Sequence, residues 1–179
     1  MSSIKVSLPD GSVKEFESGS SLLSIAKSLN QKLGKTALLA KVDGENKDLS
    51  DTLDHDAKVE FITPDSEEGL HAIRHTASHV MAQAIQHLFP GTKFAIGPAI
   101  EKGFYYDLDS DHVFTPEDLR AIEKEMSKII KANYPLVRKE LPRAEALAKF
   151  KAEDEPYKVE LIEDLPEDAV ISTYTQGDF

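Results

Sequence analysis

The chain has 179 residues, of which 40% are hydrophobic and 30% are charged, as is typical of a globular protein with one domain or two small ones. Its net charge of −11 argues against a broad phosphate-binding surface, which requires clustered Lys and Arg. The sequence contains no cysteine, which excludes disulfides and thiol catalysis within it. No apolar run approaches the ~20 residues that span a bilayer, and the N-terminus lacks the apolar segment of a secretory signal. We therefore expect a cytoplasmic protein that does not enter a membrane.

The first 63 residues predict a small domain of the β-grasp (ubiquitin-like) kind. Ser20 and Ser21 offer caps for a helix that Gly34 is expected to end. The order β-β-α-β-β predicts a mixed sheet with this helix across one face, because two strands alone bury too little apolar surface. Alternating apolar and polar residues predict strands at 4–8 and 13–17, an apolar run before an Asp-Gly turn predicts a buried strand at 36–44, and a last strand is predicted at 58–62.

Residues 64–179 predict a second domain of the α+β class, after a polar segment at 63–70 that we interpret as a linker. A long helix is predicted from about residue 70 to 89 and is expected to pack on a mostly antiparallel sheet. Thr115, followed by Pro116, predicts the start of a second long helix. The core stripe of the first helix is predicted to contain Leu70, Ile73, Ala77, Val80, Met81, Ala84 and Leu88. Strands are predicted within 93–109, at 136–141, at 157–162 and from about 169, with a short helix at 143–150.

His75 and His79 lie four residues apart on the first long helix, so their side chains point the same way. A helical wheel places them, with His71, roughly opposite the core stripe, which leaves two interpretations: exposed side chains, or the wall of a second pocket. The spacing suits two ligands of one metal, or a base and its orienting partner. The zinc-protease motif H-E-x-x-H is absent, and a structural zinc site needs four ligands.

Basic residues outnumber acidic ones between residues 120 and 143. We interpret this stretch as a solvated helix face, with a local nucleic-acid contact as the alternative.

The segment "RHTASHVMAQAIQHLFPGTKFAIGPAIEKGFYYDLD", followed by "YKVELI", resembles the editing domain of bacterial threonyl-tRNA synthetases. The first 63 residues resemble the TGS domain that precedes it in this family. The ending "STYTQGDF" resembles the lead-in to the last motif of the editing domain. The resemblance covers essentially the whole chain and implies a TGS domain at 1–63 and a C-terminally incomplete editing domain at 64–179.

The family resemblance implies an N-terminal fragment of a class II threonine–tRNA ligase that proofreads by hydrolysing mischarged seryl-tRNA(Thr). ATP, Mg²⁺ and zinc are then expected in an absent catalytic domain, which would also form the homodimer, while the partner of this part is the tRNA(Thr) acceptor end. The fragment itself is expected to need no cofactor. It is expected to be inactive because a Cys-x-x-x-His half of the pocket would follow Phe179.

The resemblance also implies the roles of four side chains. His75 or His79 positions or deprotonates the water, Lys158 binds the ribose or carbonyl oxygen or holds the water, and Tyr106 lines the amino-acid pocket. His75 and His79 offer at most two metal ligands, so no tightly bound metal is expected. From the residues alone, the alternatives are that Tyr106 is a core residue and that Lys158 is a solvated strand lysine. His71 lies outside the family motif and is interpreted as a surface residue.

A second hypothesis assigns the chain to another class, a TGS-containing regulatory module that binds RNA or protein without catalysis. A freestanding trans-editing protein is a third, which needs a complete pocket.

Overall fold

The structure, a computed structural model, describes residues 2–179. They divide into two compact units, the first ending at Ile73 and the second running from Arg74 to Phe179. The division falls inside one helix rather than in the polar segment at 63–70. Among residues 2–179, no helix combines the length and the apolar character needed to cross a bilayer.

The first unit contains a five-stranded mixed sheet and two helices. Its elements are β1 (Ser3–Ser7), β2 (Val13–Glu17), β3 (Ser20–Ser21), α1 (Leu22–Leu29), α2 (Gln31–Thr36), β4 (Leu39–Val42), β5 (Glu45–Lys47), β6 (Thr52–Leu53) and β7 (Ala57–Ile62). The strand order of the sheet is β2-β1-β7-β4-β5. Strands β1 and β7 are parallel and the other neighbours in the sheet are antiparallel, which confirms the β-grasp prediction. The short strand β5 and the β3–β6 pair were not predicted.

Helix α1 packs its apolar side on one face of this sheet. Ile25 on the helix and Val6 on β1 are both completely buried, and Val59 on β7 is 1% exposed. The inward side chains of β1 and β7 alternate with exposed ones, as a sheet with one solvated face requires. The helix begins where Ser21 accepts a hydrogen bond from the backbone N–H of Ser24, as predicted.

The prediction that Gly34 ends the first helix was wrong. Helix α1 ends at Leu29, and Asn30 takes an extended backbone and caps a second helix, in which Gly34 lies. A Cβ added at Gly34 would lie 2.4 Å from Cγ of Lys27, so the glycine allows the two helices to approach closely. A glycine after a helical pattern is usually interpreted as a helix end, and the sequence does not reveal that it is needed for close packing of two helices.

The second unit combines helices with short antiparallel strand pairs, which confirms the α+β class. Starting with the helix that spans the division, the elements are α3 (Glu67–Leu88), β8 (Lys93–Phe94), β9 (Ala99–Ile100), β10 (Gly103–Phe104), β11 (Leu108–Asp109), α4 (Pro116–Ala132), β12 (Leu136–Leu141), α5 (Arg143–Ala152), α6 (Pro156–Asp164) and β13 (Ile171–Gln176). The strands form three separate pairs, β8–β11, β9–β10 and β12–β13.

Helix α3 begins at Glu67, earlier than predicted, because the Ser66 hydroxyl accepts a hydrogen bond from the N–H of Gly69. The linker interpretation of its first residues was therefore wrong. The predicted core stripe was wrong in part, since Leu88 is 37% exposed whereas Ser78 and Gln83 are completely buried. The middle of the helix is buried on more than one side, which a single-stripe pattern does not anticipate. Leu70 and Ile73 of the predicted stripe are likewise exposed.

Helix α4 begins as predicted, with Thr115 as its N-cap and Pro116 in its first turn. The Thr115 hydroxyl and the Asp118 carboxylate each accept a hydrogen bond from the other residue's backbone N–H, forming a capping box.

The strand predicted at 157–162 is a helix, α6. Alternating apolar residues suggested a strand, but Pro156 opens the segment as a helix and only Ile162 of its side chains is buried. The Arg143 guanidinium donates hydrogen bonds to the carbonyl oxygens of Ile162, Leu165 and Pro166, at the C-terminal end of this helix. Such carbonyls lack partners within a helix, so this distant side chain stabilises the helical state.

Substitution of two valines in the first hairpin measures how much the buried face of the sheet contributes to the stability of the first unit. Val6 is completely buried and Val13 is 58% exposed. We expect Val6→Ala to lower the free energy of unfolding by about 2–3 kcal/mol, from lost apolar burial and the cavity left behind. The matched control Val13→Ala should change it by less than about 0.5 kcal/mol. Urea denaturation followed by circular dichroism checks both, and equal losses would contradict the assigned core.

Candidate functional site

A cleft of about 970 Å³ opens on the second unit. The four side chains selected in the sequence, His75, His79, Tyr106 and Lys158, all lie in its wall. The histidines come from α3, the lysine from α6 and the tyrosine from the segment between β10 and β11. Residues far apart in the sequence therefore share one concave surface, as ligand sites do.

The two histidines contact each other at the wall of the cleft. Their Nε2 atoms are 3.1 Å apart, and their rings meet edge to face with centroids 4.6 Å apart. An Nε2–Nε2 hydrogen bond requires one ring to donate and the other to accept, so a single proton can be shared between them. His75 is exposed and His79 is half-buried, which makes His79 the more protected partner.

The surroundings of His79 favour its neutral form. Burial lowers the pKa of His79 below the usual 6.5, and the nearby His75 and the Lys158 ammonium lower it further. A neutral imidazole has a free lone pair, so His79 is available to accept a proton at neutral pH.

Tyr106 both belongs to the hydrophobic core and lines the cleft. Its ring packs edge to face on Phe94, with centroids 5.7 Å apart, and burial together with the Glu155 carboxylate raises the pKa of its hydroxyl. The ring lies directly over Gly97, where an added Cβ would be 2.3 Å from Cδ2 and Cε2 of the tyrosine. The Gly97 carbonyl in turn lies 2.9 Å from the buried hydroxyl of Ser78 on α3. Gly97 thus sets the position of the tyrosine relative to the histidine helix.

Lys158 reaches the cleft from the first turn of α6 rather than from the predicted strand. Its side chain is 31% exposed, and Nζ lies 3.4 Å from a carboxylate oxygen of Glu155. The same Nζ lies over the rings of Phe150 and Phe179, 5.4 and 5.7 Å from their centroids. Sequence reasoning missed Glu155, Phe150 and Phe179. No pattern in the sequence indicated that Glu155, an acidic residue next to a proline, would be buried.

The cleft does not have the ligands of a metal centre within the residues that the structure describes. His75 and His79 provide two nitrogen atoms, and no group of three or more His, Asp or Glu side chains converges among residues 2–179. A structural zinc ion needs four ligands and a catalytic one needs three from the protein. Two imidazoles alone do not fit either kind of site, so we derive no chemistry from a metal here.

Several of the basic residues at 120–143 already have intramolecular partners. Lys128 pairs with Glu125 at 2.6 Å, Arg138 pairs with Glu140 at 2.7 Å, and Arg143 binds the end of α6. These pairs are consistent with the interpretation of a solvated face.

Residues 4–63 match the family model of the TGS domain. The whole chain is similar to curated threonine–tRNA ligases. It is 54% identical to those of Syntrophomonas wolfei subsp. wolfei and Desulforamulus reducens over 176 residues, and to that of Finegoldia magna over 175. Each alignment covers 98% of this chain and 28% of the relative, so the chain spans just over a quarter of the length of these proteins.

We expect Gly97→Ala to displace the Tyr106 ring and to lower the free energy of unfolding by about 1–3 kcal/mol, because the new methyl group overlaps the ring. The same substitution should cost much less in a Tyr106→Ala background, where the overlapping ring is gone. Chemical denaturation of the four proteins in this double-mutant cycle measures the coupling. Additive effects of the two substitutions would contradict the contact.

The pKa of His79 should be lower than that of His55. His79 should lose its proton below pH 6.5, whereas His55, whose pKa is raised by its hydrogen bond to Asp54, should do so above it. Lys158→Met should raise the His79 midpoint by removing a positive charge. Because the pKa of His79 is lower in the folded state, its contribution to stability is present above pH 6.5 and is lost as the pH falls towards the folded-state pKa. NMR titration of the imidazole resonances measures the order, and a His79 midpoint above that of His55 would contradict it.

Proposed function

We propose that this chain, which contains a TGS domain and is homologous over almost its whole length to the N-terminal regions of bacterial threonine–tRNA ligases, takes part in proofreading. The proposed reaction is hydrolysis of serine wrongly esterified to threonine tRNA. The observation that carries the proposal is the cleft in which a contacting histidine pair, a lysine and a tyrosine meet.

Such a reaction is needed because binding alone discriminates poorly between serine and threonine. Serine lacks one methyl group of threonine, and a methyl group contributes only about 1–3 kcal/mol to discrimination in a pocket. A synthetic site that accepts threonine therefore also accepts some serine. A second site that admits the smaller side chain and excludes the larger one removes the error after it has been made.

Hydrolysis of the ester requires a water molecule, a group that accepts its proton and a stabiliser for the negative charge that develops on the carbonyl oxygen. The neutral His79 is the proposed proton acceptor, with His75 as its hydrogen-bond partner. The Lys158 ammonium provides positive charge at the same cleft and is the proposed ligand of the ribose or carbonyl oxygen. Tyr106, held in place by Gly97, is the proposed wall of the amino-acid pocket.

The proposed partner of the second unit is the acceptor end of threonine tRNA, and the proposed role implies a cytoplasmic location. We assign the ATP, Mg²⁺ and zinc requirements of ligation, and the dimer contacts, to the part of the longer relatives that this chain does not match. A regulatory binding module without catalysis is not proposed, because the relatives that match 98% of the chain are ligases.

A chimeric ligase tests the proposal, with residues 1–179 replacing the matching region of the Syntrophomonas wolfei enzyme. The chimera keeps the rest of the Syntrophomonas wolfei enzyme, which this chain does not match. We expect His79→Ala to slow deacylation of seryl-tRNA by about 10²–10⁴-fold, as for loss of a positioned base, without changing aminoacylation.

His71→Ala is the matched control, because His71 lies on the same helix but not in the wall of the cleft. Its deacylation rate should equal that of the unmodified chimera. Equal rates for the His79→Ala and His71→Ala chimeras would remove the histidine pair from the reaction.

A further inference from the structure

Three side chains surround the Lys158 ammonium at the cleft. A free lysine side chain samples many rotamers, so an ammonium that must meet a substrate atom needs partners that restrict it. Glu155 and the rings of Phe150 and Phe179 lie around this ammonium, at the distances given above. The two rings attract the charge through their faces, and the carboxylate attracts it directly.

The backbone of Glu155 is fixed by the turn between α5 and α6. Asp154 takes a left-handed conformation, with φ of 54°, after the end of α5. The N–H of Glu155 donates to the Phe150 carbonyl at 2.9 Å, and the N–H of Asp154 donates to the Lys151 carbonyl at 3.3 Å. These are the two hydrogen bonds of a Schellman motif. The Asp154 carboxylate also pairs with Lys93 on β8, which ties the turn to the rest of the unit.

The hydrogen bond that an acidic N-cap residue ordinarily makes is absent at Glu155. Glu155 is the N-cap residue of α6, where a side chain usually accepts a hydrogen bond from the first turn, but its side chain makes no such bond. Only 7% of the residue is exposed, and its Oε2 atom has no hydrogen-bond partner among residues 2–179. Burying a carboxylate with one oxygen unpaired is costly, so the group is expected to serve a purpose other than stability.

We propose that Glu155 is a positioning residue, which holds the Lys158 ammonium against the wall of the cleft that contains His79. This inference rests on the proposed function, because positioning of the lysine matters there for the ester oxygen or the water. Glu155 acts through Lys158 and does not itself need to touch the substrate.

The charge of Lys158 acts on His79, so the histidine reports where the ammonium is. Removing the carboxylate releases the lysine from the cleft. We therefore expect Glu155→Gln to raise the His79 titration midpoint to the value found in Lys158→Met. Loss of a nearby negative charge by itself lowers the pKa of an imidazole, so only movement of the ammonium explains an upward shift.

The experiment uses the 179-residue chain and NMR titration of its histidines, with Glu155→Gln, Lys158→Met and the double variant forming a cycle. In the Lys158→Met background, Glu155→Gln should not raise the His79 midpoint further. The Hε resonances of Lys158 give a second measurement, since the Phe150 and Phe179 rings shift them and this shift should be lost in Glu155→Gln.

Glu163→Gln is the matched control, because it makes the same chemical change on α6 at a residue that pairs with Lys151 at 3.6 Å and does not line the cleft. It should leave the His79 midpoint and the Lys158 resonances unchanged. Glu155→Asp withdraws the carboxylate by one methylene with less disturbance of the turn, and should shift both signals in the same direction as Glu155→Gln. An unchanged or lowered His79 midpoint in folded Glu155→Gln and Glu155→Asp would overturn the inference. These measurements require no deacylation, so they can fail or succeed independently of the proposed function.

Discussion

The buried middle of helix α3 is the feature on which the second unit depends. Its polar residues are tethered to two separate segments of the chain, since the Ser78 hydroxyl lies 2.9 Å from the Gly97 carbonyl and Gln83 Nε2 donates to the Gln176 carbonyl at 3.0 Å. Gln83 also donates to the Asp178 carboxylate at 2.9 Å. Buried polar groups must find such partners, so these bonds specify which segments lie beside the helix. The candidate site is formed where these segments meet the histidine face.

The electrostatic character of the cleft follows from that packing. One imidazole is withdrawn from water beside a second imidazole and an ammonium group, and all three effects disfavour its protonation. The lysine lies beside a buried carboxylate and aromatic faces, which stabilise its positive charge within the cleft. A base that is neutral at neutral pH next to a fixed positive charge is a suitable combination for ester hydrolysis.

Local signals in the sequence predicted many of the elements. The β-grasp unit, the capped start of α4 and strand β12 follow from alternation, turn residues and capping residues, which act over a few neighbouring positions. Errors occurred where a distant contact outweighed the local pattern. Gly34, predicted to end a helix, instead lies within α2, where it packs against Lys27. Arg143 binds carbonyl oxygens at the C-terminal end of α6, a segment predicted to be a strand. Neither contact changes the spacing of apolar residues, so hydrophobic periodicity does not predict it.

By itself, the sequence determined the fold class, the family resemblance and the direction in which His75 and His79 point, because helical spacing places residues four apart on one face. Tyr106 and Lys158 were predicted as site residues from the family resemblance and not from their spacing. Only the tertiary structure decided that all four line one cleft, and that a buried Glu155 stands beside the lysine. Burial depends on the surfaces of elements remote in the chain, so neither the depth of a side chain nor its charge environment can be read from the residues around it.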